Sequence, residues 1–435
     1  MKFNLTARIV LGMLLGICTG YYCHAMFQDP QAAKEVGSYF SIIAELFLRL
    51  IKMIIAPLVF STLVVGVAKI GDVKSVGRIG VRTLGWFLAA SFVSLLLGTL
   101  IANWLKPGAT LGLPLPAVTA STGLSANALS LKEFVVHLVP RSITEAMASN
   151  EILQIVVFAG FFSIALSTLG DKAKGVVDLL NQISHVMLKV TGYVMALAPI
   201  AVFAAIANVV TTQGLSVLLT YGRFMGEFYG GLLALWLMLT FAGYLFIGKR
   251  VFSLIKYIRT PMLLGFSTAS SESAYPKTLE QLERFGVPNR IASFVLPIGY
   301  SFNLDGTMMY CTFATLFIAQ AYGTHLSFLQ QASMLAILML TSKGMAAVPR
   351  ASLVVIAATL GQFNIPEAGL LLIMGVDQFL DMGRTVTNVL GNAVASVVVA
   401  KWEGELGESV SGEDLGVGIE DIGIVTISPE QPHSV

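Results

Sequence analysis

The stretch LDMGRTVTNVLGN, residues 380–392, places charged and amide side chains inside a segment that is otherwise apolar. With one aspartate just upstream, its polar members recur at helical spacing and share one helix face: Asp377, Asp381, Arg384, Thr385, Asn388 and Asn392. A charged side chain at the centre of a bilayer costs roughly 2.5–3.5 kcal/mol on insertion scales. This face is therefore predicted to contact protein or water, and not lipid.

Two explanations of this polar face compete. The spacing of Asp381 and Arg384 permits an ion pair that only neutralises both charges within a packed bundle. Such a pair does not explain the adjacent Thr385 and Asn388, whose hydrogen-bonding groups suit a polar ligand with several functional groups. Ionisable residues inside a membrane are functional by default, so the pattern favours a binding site.

The composition is that of a membrane protein. Of the 435 residues, 55% are hydrophobic and only 12% are charged, and the mean hydropathy is +0.79, which indicates an all-α polytopic membrane protein. The net charge of +2 provides no basic surface for nucleic acid, so that class of partner is excluded. The three cysteines and five histidines lack ligand-like spacing, so no transition-metal site is predicted.

Long apolar spans occupy the first half of the chain. They are predicted near residues 8–26, 39–68, 79–104, 151–168, 174–211 and 216–247. Lysines and arginines concentrate in alternate connections, which predicts that those connections and both termini are cytoplasmic. The protein is therefore expected to be a multi-pass protein of the inner (plasma) membrane.

Beyond residue 251 the chain alternates short apolar pieces with polar, Gly- and Pro-containing centres, and it does so twice. PMLLGFSTASSESAYP (261–276) begins the first unit and QASMLAILMLTSKGMAAVPRASLVVIAATL (331–360) begins the second. Broken segments at membrane depth in corresponding positions of two halves indicate a binding site. Basic residues lie at the base of the first unit, whereas GTHLS (323–327) at the base of the second is uncharged. The units are predicted to enter from opposite faces, as inverted repeats.

LDMGRTVTNVLGN, NLDGT (303–307) and the serine-rich STASSESAYP (267–276) together resemble the dicarboxylate/amino acid:cation symporter family, which includes the glutamate transporters. The resemblance covers nearly the whole chain and is greatest to bacterial glutamate/aspartate symporters. It implies eight transmembrane helices, two re-entrant helical hairpins and an elevator-type transporter fold. It also implies a homotrimer surrounded by membrane lipid.

The same resemblance divides the chain into a static scaffold and a mobile transport domain. The scaffold helices fall in 1–78 and, with an outer loop, in 105–211, while the transport domain comprises 79–104 and 212–402. The remaining residues, 403–435, are rich in Glu, Asp, Gly and Ser, and are predicted to form a solvated acidic cytoplasmic tail.

The resemblance also assigns roles in substrate binding. Arg384 binds a side-chain carboxylate, for which its planar guanidinium is suited, and Asp381 binds an ammonium group. Arg350 either extends to the outer surface or adds a second arginine to the pocket. The full predicted set is Arg384, Asp381, Thr385, Asn388, Thr307, Ser270, Ser271, Val348, Ser352 and Arg350.

The predicted cation-binding residues depart from the pattern of sodium-driven members of the family. Asn392 stands where those members have an acidic residue, and Phe87 and Ala90 replace two oxygen-bearing side chains. These changes favour fewer sodium ions, or protons carried by a buried carboxylate such as Asp305 or Asp381. The predicted set is Asn303, Asp305, Gly299, Ser301, Asn388, Asn392, Ser342 and Ser91.

The sequence therefore predicts a secondary active symporter, not an enzyme, that takes up glutamate or aspartate with sodium ions, protons or both, and needs no other cofactor. A C4-dicarboxylate such as malate is the alternative substrate, but it has no ammonium group to neutralise Asp381. Two alternatives from other classes are an intramembrane aspartyl protease using Asp305 and Asp381, and a passive channel. The first is disfavoured because Arg384 would oppose a proton shared between the carboxylates.

Overall fold

A computed structural model describes residues 5–70, 73–110, 115–117, 136, 138–215, 221–341 and 351–408. Within these residues the chain is helical and contains no strand. The first half contains α1 (Leu5–Met26), α2 (Pro30–Ile70), α3 (Val73–Leu105), α4 (Ile143–Ala148), α5 (Ile152–Leu169), α6 (Lys174–Met195), α7 (Ala198–Gln213) and α8 (Gly222–Ile247). The second half contains α9 (Arg250–Thr268), α10 (Ser271–Phe285), α11 (Asn289–Phe302), α12 (Asp305–Ala321), α13 (Phe328–Thr341), α14 (Ala351–Gln362), α15 (Leu371–Met374) and α16 (Asp377–Trp402).

Several helices have the length and composition of membrane spans. Within the described ranges, five stretches qualify: Leu5–Met26, Pro30–Ala68, Gly77–Ala109, Ile152–Met195 and Gly222–Ile247. Together they overlap all six predicted apolar spans, because Ile152–Met195 covers both 151–168 and the first part of 174–211. Two shorter apolar stretches, Phe328–Met339 and Ser352–Gln362, lie in the second half, which agrees with the predicted change of pattern beyond residue 251.

The prediction of one continuous span over 174–211 is wrong. The structure divides it into α6 and α7, which end and begin on either side of Ala196 and Leu197. Pro199 lies in the first turn of α7, where its missing N–H leaves no helical hydrogen bond unmade. In the interior of a single helix the same residue would remove a hydrogen bond and clash with the preceding turn.

The second half contains two helix pairs, each followed by further helices. α9 and α10 form the first pair, and α11 then ends at Asn303 before the chain restarts as α12 at Asp305. The base of this pair, meaning the end where α9 begins and α10 ends, lies near the beginning of α3. Residues 403–408 contact both places, at Gly286 after α10 and at Arg78 on α3. The base of the α13–α14 pair lies at the other end of α3, where Asn103 donates to Gln331 at 2.7 Å. The two pairs therefore have their bases at opposite ends of α3, and the inverted repeat stays a prediction.

Two apolar clusters form the core of the described chain and meet on α16. One joins α2 and α5–α7 to α9–α11, and includes Met382 and Val386. The other joins α8 to α12–α14, and includes Val376 and Leu380. The polar face of α16 crosses the junction of the two clusters, and all of its side chains except Asp381 are buried.

Gly98 on α3 provides a test of this packing. A methyl group there would collide with Thr312 and with the backbone carbonyl of Met309 on α12, whereas Gly85 on the same helix has nothing within 4 Å of such a methyl group. We expect Gly98→Ala to lower the thermal unfolding midpoint in detergent, because the backbone of α12 at Met309 cannot move aside to make room for the methyl group. Gly85→Ala should leave the midpoint unchanged or raise it. Equal midpoints for both variants would contradict the close contact between α3 and α12.

Candidate functional site

Arg384 is at the centre of the polar face and is only 1% exposed. Its Nη1 donates to Ser352 Oγ on α14 at 2.6 Å. Its Nη2 lies 3.2 Å from Asp377 Oδ1 and 3.1 Å from Asp381 Oδ1. The predicted pairing of Asp381 with Arg384 is therefore present, and a second carboxylate and a hydroxyl accompany it.

An aromatic ring completes the surroundings of the guanidinium. Arg384 Cζ lies 4.1 Å from the centroid of the Tyr310 ring, so a cation–π contact supports its flat face. The Tyr310 hydroxyl donates to Asp377 Oδ1 at 3.0 Å, which fixes the carboxylate that holds the guanidinium. Arg384 Nε is buried and has no hydrogen-bond partner among the described residues. One donor of the guanidinium is therefore left for a ligand.

The two carboxylates beside Arg384 differ in exposure. The Asp377 side chain is 8% exposed, whereas the Asp381 side chain is 38% exposed. Asp377 is therefore a fixed internal counter-charge. Asp381 presents an accessible face, so it is the carboxylate that an incoming ammonium group can reach.

Asn388, one helical turn beyond Arg384, connects α16 to the start of α12. Its Oδ1 accepts from the backbone N–H of Gly306 at 2.9 Å, and its Nδ2 donates to Thr307 Oγ1 at 3.2 Å. The structure therefore brings the predicted Asn388 and Thr307 together. Thr385 is buried on the same face, against α9 at Gly265.

The serine-rich turn between α9 and α10 forms a helix N-terminus. Ala269 ends α9 in the left-handed conformation, and Ser270 Oγ then accepts from the backbone N–H of Ser273 as the N-cap of α10. The Ser270 hydroxyl is therefore used in capping. The remaining N–H groups at the start of α10, from Ser271 onward, and the positive end of its dipole favour a carboxylate.

A second polar cluster, here called the cage, lies where α11 and α12 meet. Asn303 Nδ2 donates to Asp305 Oδ2 at 3.1 Å and to Asn392 Oδ1 at 3.2 Å. Ser94 Oγ on α3 donates to Asp305 Oδ1 at 3.3 Å. All four side chains, Asn303, Asp305, Asn392 and Ser94, are fully buried.

The cage has the chemistry of a site for a hard cation. Asn303 Oδ1 and Asn392 Nδ2 are buried without hydrogen-bond partners in the described chain. The last carbonyls of α11 point towards the break, so carbonyl oxygens and the negative end of a helix dipole add to the Asp305 carboxylate. Oxygen ligands of this kind suit sodium, and a buried carboxylate can instead take a proton.

Other predicted cation ligands have different positions. Ser91 Oγ donates to the backbone carbonyl of Phe302 at 3.1 Å, so its hydroxyl supports the end of α11. Ser301 is buried in the last turn of α11, and Gly299 lies against the Asn392 amide and the Phe87 ring. The predicted residues of the second hairpin tip lie outside the described residues: Ser342, Val348 and Arg350.

Sequence reasoning missed three residues of these clusters. Asp377 belongs to the recognised helical face, but its role as the buried counter-charge of Arg384 was not predicted. Ser94 lies one turn after Ser91, so helical spacing was the available signal. Tyr310 gives no sequence signal, because tyrosines are common in apolar helices near an interface.

Comparison with known proteins shows the family of the chain. The model of the sodium:dicarboxylate symporter family matches residues 5–402. The chain belongs to this family. A proton/sodium-glutamate symport protein of Bacillus subtilis (strain 168) is 39% identical over 409 residues, covering 93% of this chain and 94% of the relative. A C4-dicarboxylate transport protein of Anaeromyxobacter dehalogenans (strain 2CP-C) is 37% identical over 436 residues, covering 99% and 96%.

Membership in the sodium:dicarboxylate symporter family confirms the family predicted from LDMGRTVTNVLGN and NLDGT. The family is one of transporters. The apolar helices and the family together make the chain a multi-pass membrane protein.

Tyr310→Phe tests how Asp377 is held. The change keeps the ring over Arg384 but removes the hydroxyl donor of Asp377, which should destabilise the folded protein by about 1–2 kcal/mol. We expect a lower thermal midpoint in detergent, and a further decrease for Tyr310→Leu, which also removes the cation–π contact. Tyr244→Phe, at a residue that is 42% exposed, is the control. A Tyr310→Phe midpoint equal to the control would mean that the hydroxyl does not support the site.

Proposed function

We propose that this family member is a secondary active symporter that takes up glutamate or aspartate with sodium ions, protons or both. The observation that carries the proposal is the buried Arg384 guanidinium, whose Nη1 has one hydrogen-bond partner among the described residues, the hydroxyl Ser352 Oγ at 2.6 Å. A carboxylate is a stronger acceptor than a hydroxyl and matches the planar fork of arginine. A substrate carboxylate therefore replaces Ser352 as the partner of Arg384.

The charges around Arg384 favour an acidic amino acid over a dicarboxylate. Asp377 and Asp381 together exceed the single positive charge of Arg384. An acidic amino acid adds one net negative charge, whereas a dianion adds two and leaves Asp381 without a new partner. At membrane depth, where charges are poorly screened, the additional negative charge of the dianion is unfavourable. The ammonium group of an amino acid binds the accessible face of Asp381.

Uptake of a C4-dicarboxylate is the second candidate function. Its support is that Asp381 already pairs with Arg384 at 3.1 Å, so an ammonium group is not required to neutralise it. Relatives named for C4-dicarboxylate transport and for glutamate symport are similarly close, at 37–39% identity.

The cage supports a reduced set of coupling cations. Asp305 supplies one carboxylate there, and Asn392 supplies an amide where sodium-driven relatives were expected to have a second acid. Phe87 is fully buried beside Gly299 and contributes no oxygen. A neutral amide binds sodium more weakly than a carboxylate, so we infer fewer sodium ions or a proton on Asp305.

The architecture proposed for this mechanism is an elevator, with eight spanning helices, two re-entrant hairpins and cytoplasmic termini in a homotrimer. Residues 79–104 and 212–402 form the moving domain, and 1–78 and 105–211 form the scaffold. The bases of the two helix pairs at opposite ends of α3 support hairpins that enter from opposite faces. α2 of the scaffold also packs against α10 and α11, where Lys52 Nζ lies 3.9 Å from Glu272 Oε2.

Uptake into proteoliposomes tests the proposed function. Labelled L-aspartate, L-glutamate and malate are supplied with a sodium gradient or a proton gradient imposed separately. We expect gradient-driven accumulation of an acidic amino acid, lost in Arg384→Ala and retained in Arg284→Ala, whose side chain is 41% exposed. Accumulation of malate alone would establish the second candidate. Equilibration without accumulation under both gradients would indicate a passive channel.

Asn392→Asp tests the coupling site. A second carboxylate beside Asn303 and Asp305 should strengthen sodium binding, because hard cations prefer charged oxygen ligands. We expect the sodium concentration for half-maximal substrate binding to fall by about tenfold, which is roughly 1.4 kcal/mol. Asn103→Asp, far from the cage at the end of α3, is the matched control. An unchanged or higher sodium requirement in Asn392→Asp would remove Asn392 from the cation site.

A further inference from the structure

The six residues after α16, 403–408, lie beyond the part of the chain that the family model matches. We call them the C-terminal strap. They were predicted to belong to a solvated tail. That prediction is wrong for Glu403 and Glu405, which are ion-paired against the fold. The remainder of the predicted tail, 409–435, lies outside the described residues.

Glu403 joins the strap to the beginning of α3. Its Oε2 lies 2.8 Å from Arg78 Nη2 and its Oε1 lies 2.7 Å from Arg82 Nη1. The Glu403 side chain is only 1% exposed. Surface ion pairs contribute little, but a buried carboxylate with a guanidinium on each oxygen holds its partners in one geometry.

The rest of the strap joins the base of the α9–α10 hairpin. Glu405 Oε2 accepts from Arg290 Nε at 2.8 Å, at the start of α11. The backbone N–H of Gly407 donates to Gly286 O at 2.9 Å, and Arg250 Nη2 donates to Gly407 O at 2.8 Å. Gly286 has φ +108° and a side chain there would collide with the strap, so the contact requires glycine.

Three of the helices that the strap joins contribute to the cage. α3 provides Ser94, α11 ends at Asn303, and α16 provides Asn392. Arg82 lies twelve residues before Ser94, and Arg290 lies thirteen residues before Asn303. At 1.5 Å per residue, each fixed end is about 18–20 Å along a helix from the cage. α3, α11 and α16 thus each run from the strap to the cage, which gives a physical path between the two.

We propose that Glu403 is a positioning residue for the coupling cation: the strap sets the relative placement of α3, α11 and α16 and thereby the affinity of the cage. The inference rests on the proposed function, since it concerns the cation of that symporter. Because coupling between two sites is reciprocal, cation binding in the cage must also stabilise the strap.

A strap that only supports the fold makes a different prediction. Loss of Glu403 would then lower the thermal midpoint and the amount of folded protein. It would not change how substrate binding by the protein that does fold depends on the cation. Two measurements distinguish cation positioning from simple support of the fold. One is the sodium and pH dependence of substrate binding, and the other is hydrogen exchange of the strap amides with and without the cation.

The experiment uses the full-length protein in detergent and measures labelled L-aspartate binding against sodium concentration and against pH. We expect Glu403→Gln to raise the half-saturating concentration of the active cation by about fivefold or more, the lower end of typical coupling between sites. Glu403→Asp should restore part of the affinity. Glu408→Gln, at an exposed strap residue, should match the wild type.

Hydrogen exchange provides the reciprocal measurement. The amides of residues 403–408 in the wild type should exchange more slowly when the cation is bound, and Glu403→Gln should lose this protection. Wild-type cation affinity in Glu403→Gln, with strap exchange independent of the cation, would overturn the proposal and leave the proposed function intact. A wild type that binds L-aspartate without any cation dependence would overturn the proposed coupling, and the strap proposal with it.

Discussion

Burial of the Arg384 guanidinium is the constraint on which the rest of the site depends. A charge enclosed by apolar helices must be neutralised and hydrogen-bonded, and here three helices share that task. α16 provides Asp377 and Asp381, α12 provides the ring and hydroxyl of Tyr310, and α14 provides Ser352. Among the described residues, Nε has no hydrogen-bond partner and Nη1 donates to a neutral hydroxyl, so the guanidinium retains capacity for an anionic ligand.

The break between α11 and α12 connects the Arg384 cluster to the cage. Three consecutive residues make the connection: Asp305 belongs to the cage, while the Gly306 N–H and the Thr307 hydroxyl both bind Asn388. The break also brings together the negative end of α11 and the positive end of α12, which suit a cation and an anion respectively. Under the proposed coupling, a change in the cage on cation binding reaches Asn388 through adjacent peptide units, which is a physical route between the two clusters.

Structural features that depend on local sequence pattern could be predicted. Helical spacing identified the polar face of α16, and NLDGT identified the broken helix. The sequence did not predict the contacts that join distant segments. Glu403 pairs with Arg78, from which it is separated by 325 positions in the sequence, and neither composition nor periodicity specifies that pairing. The division of 174–211 into α6 and α7 was missed because hydropathy averages over Pro199, although proline at a helix start is a recognisable signal.

In the proposed mechanism a substrate carboxylate replaces Ser352 on Arg384, and a cryo-electron microscopy structure with L-aspartate bound would show this exchange. We expect density for one carboxylate on the Arg384 guanidinium, with the substrate ammonium on Asp381 and Ser352 Oγ displaced from Nη1. Ligand density elsewhere, with Arg384 still donating to Ser352, would contradict it.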